Sequence, residues 1–198
     1  MTTTARQGGS PAQRERRRRI LDTTIELAAG GGFDAVQMRE VADRAGVALG
    51  TLYRYFPSKI HLLVAALDRE LEASEARTLA RAVTGDTAHE RVMNVLSRDT
   101  RALQKRPHLT EALVRAFMFA DASVLGEIET VGMRLTRMIA RAISGSPEHG
   151  EATVEEAAII RVIADVWLSA LVAWANGRLE APEVEKSIDV AVGLLLHD

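Results

Sequence analysis

The 198-residue sequence predicts an all-α fold, and three observations carry the prediction. Apolar residues return at offsets of three, four and seven along most of the chain, the period of one helix face. Runs of alternating β-branched residues, which a half-buried sheet requires, are few. Glycine and proline clusters cut the periodic stretches into pieces of helical length.

Residues 1–10, with Thr, Gly and Ser and no period, read as a disordered leader. Pro11 suits a first helical turn, where its missing N–H would have no partner anyway. Helix one then runs to about Ala29, with Leu21, Ile25 and Ala28 on one face. It is expected to stop at Gly30-Gly31-Gly32, because glycine tolerates a left-handed cap. No Gly-Lys-Ser/Thr follows the triplet and no strand precedes it, which argues against a phosphate loop. Two short helices, about Met38–Ala45 and Leu49–Phe56, are separated by Gly46-Val47-Ala48, a turn of the length a helix-turn-helix uses. Pro57 breaks the chain, and Ser58 caps a long helix bearing Ile60, Leu63, Val64, Leu67 and Leu71. Beyond Gly85-Asp86, one seam of Met93, Leu96, Thr100 and Leu103 ends before Pro107, and another holds Leu109, Leu113, Ala116, Phe117 and Ala120. Val124, Ile128, Val131, Leu135 and Met138 form a longer stripe that ends at Ser144-Gly145-Ser146-Pro147.

From about Thr153 to Asn176 the chain carries two apolar stripes, Ile159/Val162/Ile163/Val166 and Ile160/Trp167/Leu171/Trp174, so this helix must be covered on two sides. The last helix, about Pro182–Leu196, presents Val184, Ile188, Ala191 and Leu195. The two together suggest half of a four-helix dimer interface; the alternative is that they bury each other inside one subunit. The expected organisation is a leader (1–10), a three-helix helix-turn-helix domain (11–57) and a helical body for ligand binding and dimerisation (58–198), about nine helices in all.

Composition narrows the function classes. Apolar residues at 47% and charged residues at 26% fit a globular chain, and the absence of cysteine removes disulfides, thiol nucleophiles and Cys-ligated metal. His61, His89, His108, His149 and His197 are scattered; His89-Glu90 is followed by Met93 where a zinc motif needs a second histidine, and no Gly-x-Ser-x-Gly appears. Neither catalysis nor a metal site nor a cofactor is expected. The longest clean apolar run, Val166 to Asn176, is shorter than the roughly 18 residues of a membrane span, and no apolar region follows the N-terminal arginines. A cytoplasmic protein without a membrane partner is expected. The net charge of −2 hides an asymmetry: residues 1–60 hold 10 Lys/Arg against 6 Asp/Glu (+4), and residues 61–198 hold 15 against 21 (−6). A basic head on an acidic body is the footprint of a nucleic-acid module joined to something that must not bind nucleic acid.

The richest segment is Val41 to Lys59. Small Ala42 and Ala45 let two helices pack closely, Gly46 supplies the turn, and Val41, Val47 and Leu52 plug a small core. Gly50 would let a sugar-phosphate backbone approach, while Thr51, Tyr53 and Tyr55 place hydroxyls and rings where phosphates or base edges would lie. Lys59, one residue after the Ser58 cap, could grip a phosphate together with the free N–H groups of that helix end. The plain alternative for the aromatics is core packing, which is the reading adopted for Phe56. Arg14, Arg16, Arg17, Arg18 and Arg19 open helix one against its macrodipole, a position that phosphates would compensate; a solvated charged face is the alternative. Arg39, at the start of the second helix, is similarly placed. The candidate contacts to double-stranded DNA are thus Arg14, Arg17, Arg18, Arg39, Leu49, Gly50, Thr51, Tyr53, Arg54, Tyr55 and Lys59.

These residues resemble the TetR family of one-component bacterial repressors. The match is carried by Gly32-Phe33, Val41-Ala42, Ala45-Gly46-Val47, Gly50-Thr51-Leu52-Tyr53, Tyr55-Phe56 and Ser58-Lys59, across about residues 12–65. The resemblance implies a homodimer on a palindromic operator, with a C-terminal domain that dimerises and senses a ligand. Two departures stand out: Gln37 replaces the usual Thr cap of the second helix, and Ala48 replaces the Ser or Thr that often precedes the recognition helix. Each loses a capping oxygen.

A closer likeness, to the branch of that family that represses sterol catabolism, is carried by Gln37-Met38-Arg39, Tyr53 to Lys59, His61-Leu62-Leu63-Val64, Phe119 to Ser123 and Asp165 to Ser169. It implies release by a sterol-derived CoA thioester. In the body, Met93, Leu96, Leu113, Phe117, Met133, Trp167 and Leu171 are candidates to line a pocket for a lipophilic effector, with Asp99 and Arg115 as its polar members. Core packing, or a surface ion pair for the two charged residues, is the alternative for each. A repressor of an efflux pump that senses lipophilic drugs is the alternative function, less favoured because four of the eight aromatics lie in the DNA-binding head.

Overall fold

A computed structural model describes residues 10–80, 84–149 and 151–196. Among them are nine α-helices and no strand: α1 (Pro11–Ala35), α2 (Met38–Ala45), α3 (Leu49–Tyr55), α4 (Lys59–Leu79), α5 (Ala88–Gln104), α6 (Pro107–Met118), α7 (Leu125–Ser144), α8 (Val154–Ala175) and α9 (Ala181–Leu195), with a 3-10 turn at Ala122–Val124 before α7. The leader expected over 1–10 lies outside the described residues except for Ser10, which caps α1. Its Oγ accepts the Gln13 N–H, and the Gln13 side chain returns the favour to the Ser10 N–H at 2.8 Å.

The first helix does not stop at Ala29. It continues to Ala35, and the glycines kink it instead: Gly31 and Gly32 leave helical geometry, Gly32 with φ 71° and ψ −162°. Only glycine accepts that backbone cheaply, and a Cβ on Gly32 would also lie 2.6 Å from the Glu111 carboxylate of α6. The kink is therefore built to receive α6, which packs along α1.

Two apolar clusters fill the molecule. The first joins the head to α4, α6 and the start of α7 through Ile20, Val41, Leu52, Leu62, Leu113 and Val131. The second joins α5, α7, α8 and α9 through Val95, Ile139, Ile163, Trp167 and Ile188. Packing thus divides inside the body, along α6, whose Leu109, Leu113 and Ala116 belong to the first cluster and Val114 to the second. Arg134 pins α7 to α4. Its guanidinium donates to Asp68 at 2.7 Å and to Glu75 at 2.8 Å, and Arg141 meets the other Glu75 oxygen at 2.7 Å.

α8 is capped by Thr153 with Glu156, and it buries Ile160, Ile163, Trp167, Ala170 and Leu171 on one flank. The Trp167 indole N–H donates to Thr100 Oγ at 2.9 Å. Its other flank is open, with Val162 exposed, as are Val190 and Leu194 on α9. The length expected for the longest apolar run needs a correction here. At 22 residues and a mean hydropathy of 1.8 in its most apolar stretch, α8 is long and apolar enough to cross a bilayer by length and composition. Counting only the unbroken run after Asp165 missed this, because Arg161 and Asp165 are too few to outweigh the apolar residues around them.

Candidate DNA interface and effector cavity

The turn between α2 and α3 is closed by Gly46 in the left-handed conformation (φ 65°), with the Val47 N–H bonded to the Ala42 carbonyl at 3.0 Å. Val41, Ala42, Ala45 and Leu52 are buried beneath it. Neither Gln37 nor Ala48 supplies a side-chain cap, as the two sequence departures lead one to expect. This scaffold leaves one face of α3 bare. Gly50 is exposed and a Cβ there would meet open space, Tyr53 is 45% exposed, Arg54 and Arg39 face solvent, and Thr51 is half-buried. Leu49 and Tyr55 lean partly into the head core, and Phe56 is buried.

At the start of α1, Arg14, Arg17, Arg18 and Arg19 are exposed and Arg16 is half-buried, but some have internal partners. Arg18 pairs with Glu15 at 2.7 Å, which raises the guanidinium's pKa and lowers the carboxylate's, and Arg17 lies 5.4 Å from the Phe56 ring. Arg14 is exposed on the same turn. Lys59 does not extend freely from its helix end. Its ammonium sits 3.9 Å from the centroid of the Phe33 ring, and burial pushes its pKa below the usual lysine value.

Phe33 is the hub of a junction that the sequence did not single out. Its N–H donates to Glu111 Oε2 at 2.8 Å, and the Arg115 guanidinium stacks 4.4 Å from its ring. Arg115 also reaches Asp34 at 3.4 Å and Glu111 at 3.3 Å. A second tie lies at the start of α4. There Ser58 caps the helix by accepting the His61 N–H, and the His61 ring bridges Ser58 Oγ at 2.9 Å and the Ser123 carbonyl at 3.1 Å. Asp121 fixes that carbonyl's loop by accepting the Ser123 N–H and hydroxyl, which holds its carboxyl below the usual value. The presence of His61 and Asp121-Ala122-Ser123 in the family-like stretches was the available signal; their pairing across the fold was not.

On the opposite side of α6 lies a cavity of about 670 Å³, within the size range of small-molecule sites. Leu67, Leu71, Leu113, Phe117, Val131, Leu135, Trp167 and Leu171 make its apolar wall. Ser74, Asp99 and Thr110 are its buried polar members, and Glu70, Arg77, Arg106, Arg161 and Asp165 line it from more exposed positions. Of the nine sequence candidates, Asp99, Leu113, Phe117, Trp167 and Leu171 line this cavity and four do not. Met93 and Leu96 pack into the second apolar cluster, Met133 is 58% exposed on the outside of α7, and Arg115 faces the head. The helical periodicity is the same for a residue that faces a neighbouring helix and one that faces a void. Burial drives the Asp99 carboxyl above its usual pKa. Among the described residues no cluster of three or more His, Cys, Asp or Glu could hold a metal.

A bare helix on a glycine-turned scaffold, joined through one helix to a body with an apolar cavity, has the form of a helix-turn-helix regulator. Residues 20–66 match the model of the bacterial regulatory proteins of the tetR family, and residues 85–195 match the tetracyclin repressor-like C-terminal domain. The chain belongs to the TetR family. It is 54% identical to the HTH-type transcriptional repressor KstR of Mycolicibacterium smegmatis, over 95% of this chain and 90% of that one. It is 52% identical to KstR of Mycobacterium tuberculosis, over 96% and 84%. A TetR transcriptional regulator from Rhodococcus sp. RHA1 superposes with a TM-score of 0.86 at 35% identity, covering 94% of this chain and 98% of that one. Thermus thermophilus FadR in complex with lauroyl-CoA shares the fold, with a TM-score of 0.69 at 22% identity, covering 92% and 96%. The protein is a DNA-binding TetR-type transcriptional repressor similar to KstR, and not an enzyme.

Proposed function

We propose that this chain is a homodimeric repressor of sterol or lipid catabolism genes that binds a palindromic double-stranded operator and is released by a sterol-derived CoA thioester. The observation that carries the reading is that α6 lines the cavity with one face and holds the head with the other: Leu113 and Phe117 face the void, and Glu111 and Arg115 grip Phe33. An effector wedged against α6 displaces the kink of α1 and tilts α4, which alters the separation of the two α3 helices on successive major grooves. A near-complete release requires the effector to favour the non-binding geometry by about 5 kcal/mol.

The head (11–57) reads DNA with Arg39, Gly50, Thr51, Tyr53 and Arg54, with Leu49 and Tyr55 setting the pose of α3. Arg14, Arg17 and Arg18 contribute phosphate contacts, whereas the Lys59 ammonium, first read as another, stays on the Phe33 ring. The open apolar flank of α8 with Val190 and Leu194 of α9 supports dimerisation through a four-helix face, which would cover that flank without a membrane. The sterol assignment rests on the sequence likeness, and the bound lauroyl-CoA of FadR illustrates one thioester held by this fold. A protein acting on DNA in this way works in the cytoplasm. Fluorescence anisotropy on DNA from upstream of the protein's own gene tests the reading. Tight binding that a steroid acyl-CoA reverses, and free CoA or a simple fatty acyl-CoA does not, is expected. Binding that ignores the thioester keeps the repressor and discards the sterol effector.

A further inference from the structure

Inside the cavity wall, one polar group has no counterpart. Asp99 of α5 is 5% exposed. One of its carboxyl oxygens accepts the Ser74 hydroxyl of α4, and the other, shut off from solvent, has no hydrogen-bond partner. Among the described residues no ion pair reaches it. Arg98, the adjacent cation, donates to Thr78 Oγ at 3.0 Å, and Arg77 influences it only through space from an exposed position. Buried polar groups are nearly always satisfied, so an orphaned carboxyl oxygen in the wall of a cavity marks a place where something else supplies the partner.

We infer that Asp99, steadied by Ser74, selects the effector by hydrogen-bonding an uncharged ligand oxygen, a hydroxyl or a ketone, at the α4–α5 wall, and discriminates against a bare hydrocarbon there. The inference rests on the reading of this cavity as the effector site. Rotation about the Cβ–Cγ bond, a soft torsion for aspartate, turns the free oxygen toward the cavity while Ser74 keeps hold of the carboxyl. Burial favours the neutral carboxyl, which donates to a ketone or hydroxyl oxygen; an ionised carboxylate accepts from a hydroxyl instead. A carboxylate on the ligand at this point would meet a like charge or a forced proton, so the selected group is uncharged. The surroundings restrict the ligand as well. Leu71, Leu103, Leu113 and Trp167 line the same cavity, and the wall from Leu67 to Arg77 runs about 15 Å along α4 at the helical rise, room for an elongated apolar body with one oxygen to place.

The test is isothermal titration of the full chain with two steroid acyl-CoA thioesters that differ only in a ring hydroxyl or ketone. The wild type should bind the oxygenated thioester about 10- to 100-fold more tightly than its ring-deoxy counterpart. Asp99→Leu should abolish that preference by losing the first and gaining the second, and Asp99→Asn should keep part of it. Circular dichroism and operator affinity establish that each variant folds; if Asp99→Leu fails to fold, Asp99→Asn carries the comparison. Equal wild-type affinity for the two thioesters, or an undiminished preference in the variants, overturns the role of Asp99 and leaves the effector reading intact. Failure of both thioesters to bind the wild type removes the effector reading and this inference together.

Discussion

In the head, Arg39, Gly50, Tyr53 and Arg54 stand outside the packing and face solvent, whereas in the body Asp99, Thr100 and Arg134 are buried and hold helices to one another. The difference is one of what a polar side chain is for. On the proposed function the partner of a head residue is DNA, so changing it should affect the fold little and operator binding strongly. A body residue pays for its burial with internal bonds, so changing it alters stability first.

The largest expected effect lies in the body. Arg134→Ala leaves the half-buried Asp68 without its guanidinium and Glu75 with Arg141 and Arg137 alone, and should cost about 2–3 kcal/mol in urea unfolding. A loss below about 1 kcal/mol would place this network among surface pairs. Next comes the head. Tyr53→Ala should weaken operator binding by about 10-fold or more while leaving the midpoint of thermal unfolding within a few degrees, and an equal loss of both would erase the contrast.

A pH comparison follows for Asp99, whose carboxyl is held above its unfolded value by burial. As pH rises past about 4, the unfolded chain gives up this proton before the folded one does, so ionisation of this group erodes stability until the folded carboxyl has ionised too. Asp99→Asn removes that erosion, and its melting temperature relative to wild type should be higher at pH 7 than at pH 4. The smallest effect concerns Lys59. With its ammonium on the Phe33 ring, Lys59→Met should change the log–log salt slope of operator binding by less than about half a unit. A change near one unit would mean that the ammonium leaves Phe33 for a phosphate on DNA.

The same contrast governs what the sequence made legible. The turn at Gly46, the cap at Ser58 and the exposed set on α3 follow from neighbours a few residues apart, and the helices follow from spacing alone. The kink at Gly31-Gly32 was read as a stop, because the Glu111 carboxylate that occupies the space beside it comes from 79 residues away. Periodicity marked Leu96 and Leu113 as inward-facing without distinguishing a helix neighbour from a void, so only part of the cavity wall was found. Arg115 was read toward a ligand, yet it stacks on Phe33 from the other face of α6. No local pattern reports which face of a helix looks at which domain.

Gly32 has a consequence for how this repressor fails. A side chain there collides with Glu111 and strains the backbone, yet it touches neither α3 nor the cavity wall. Lesions at this joint should therefore sever communication without blinding either end. Genetic selection for strains that stay silent in the presence of inducer should collect at Gly32, Phe33, Glu111 and Arg115, far from any atom of the inducer itself.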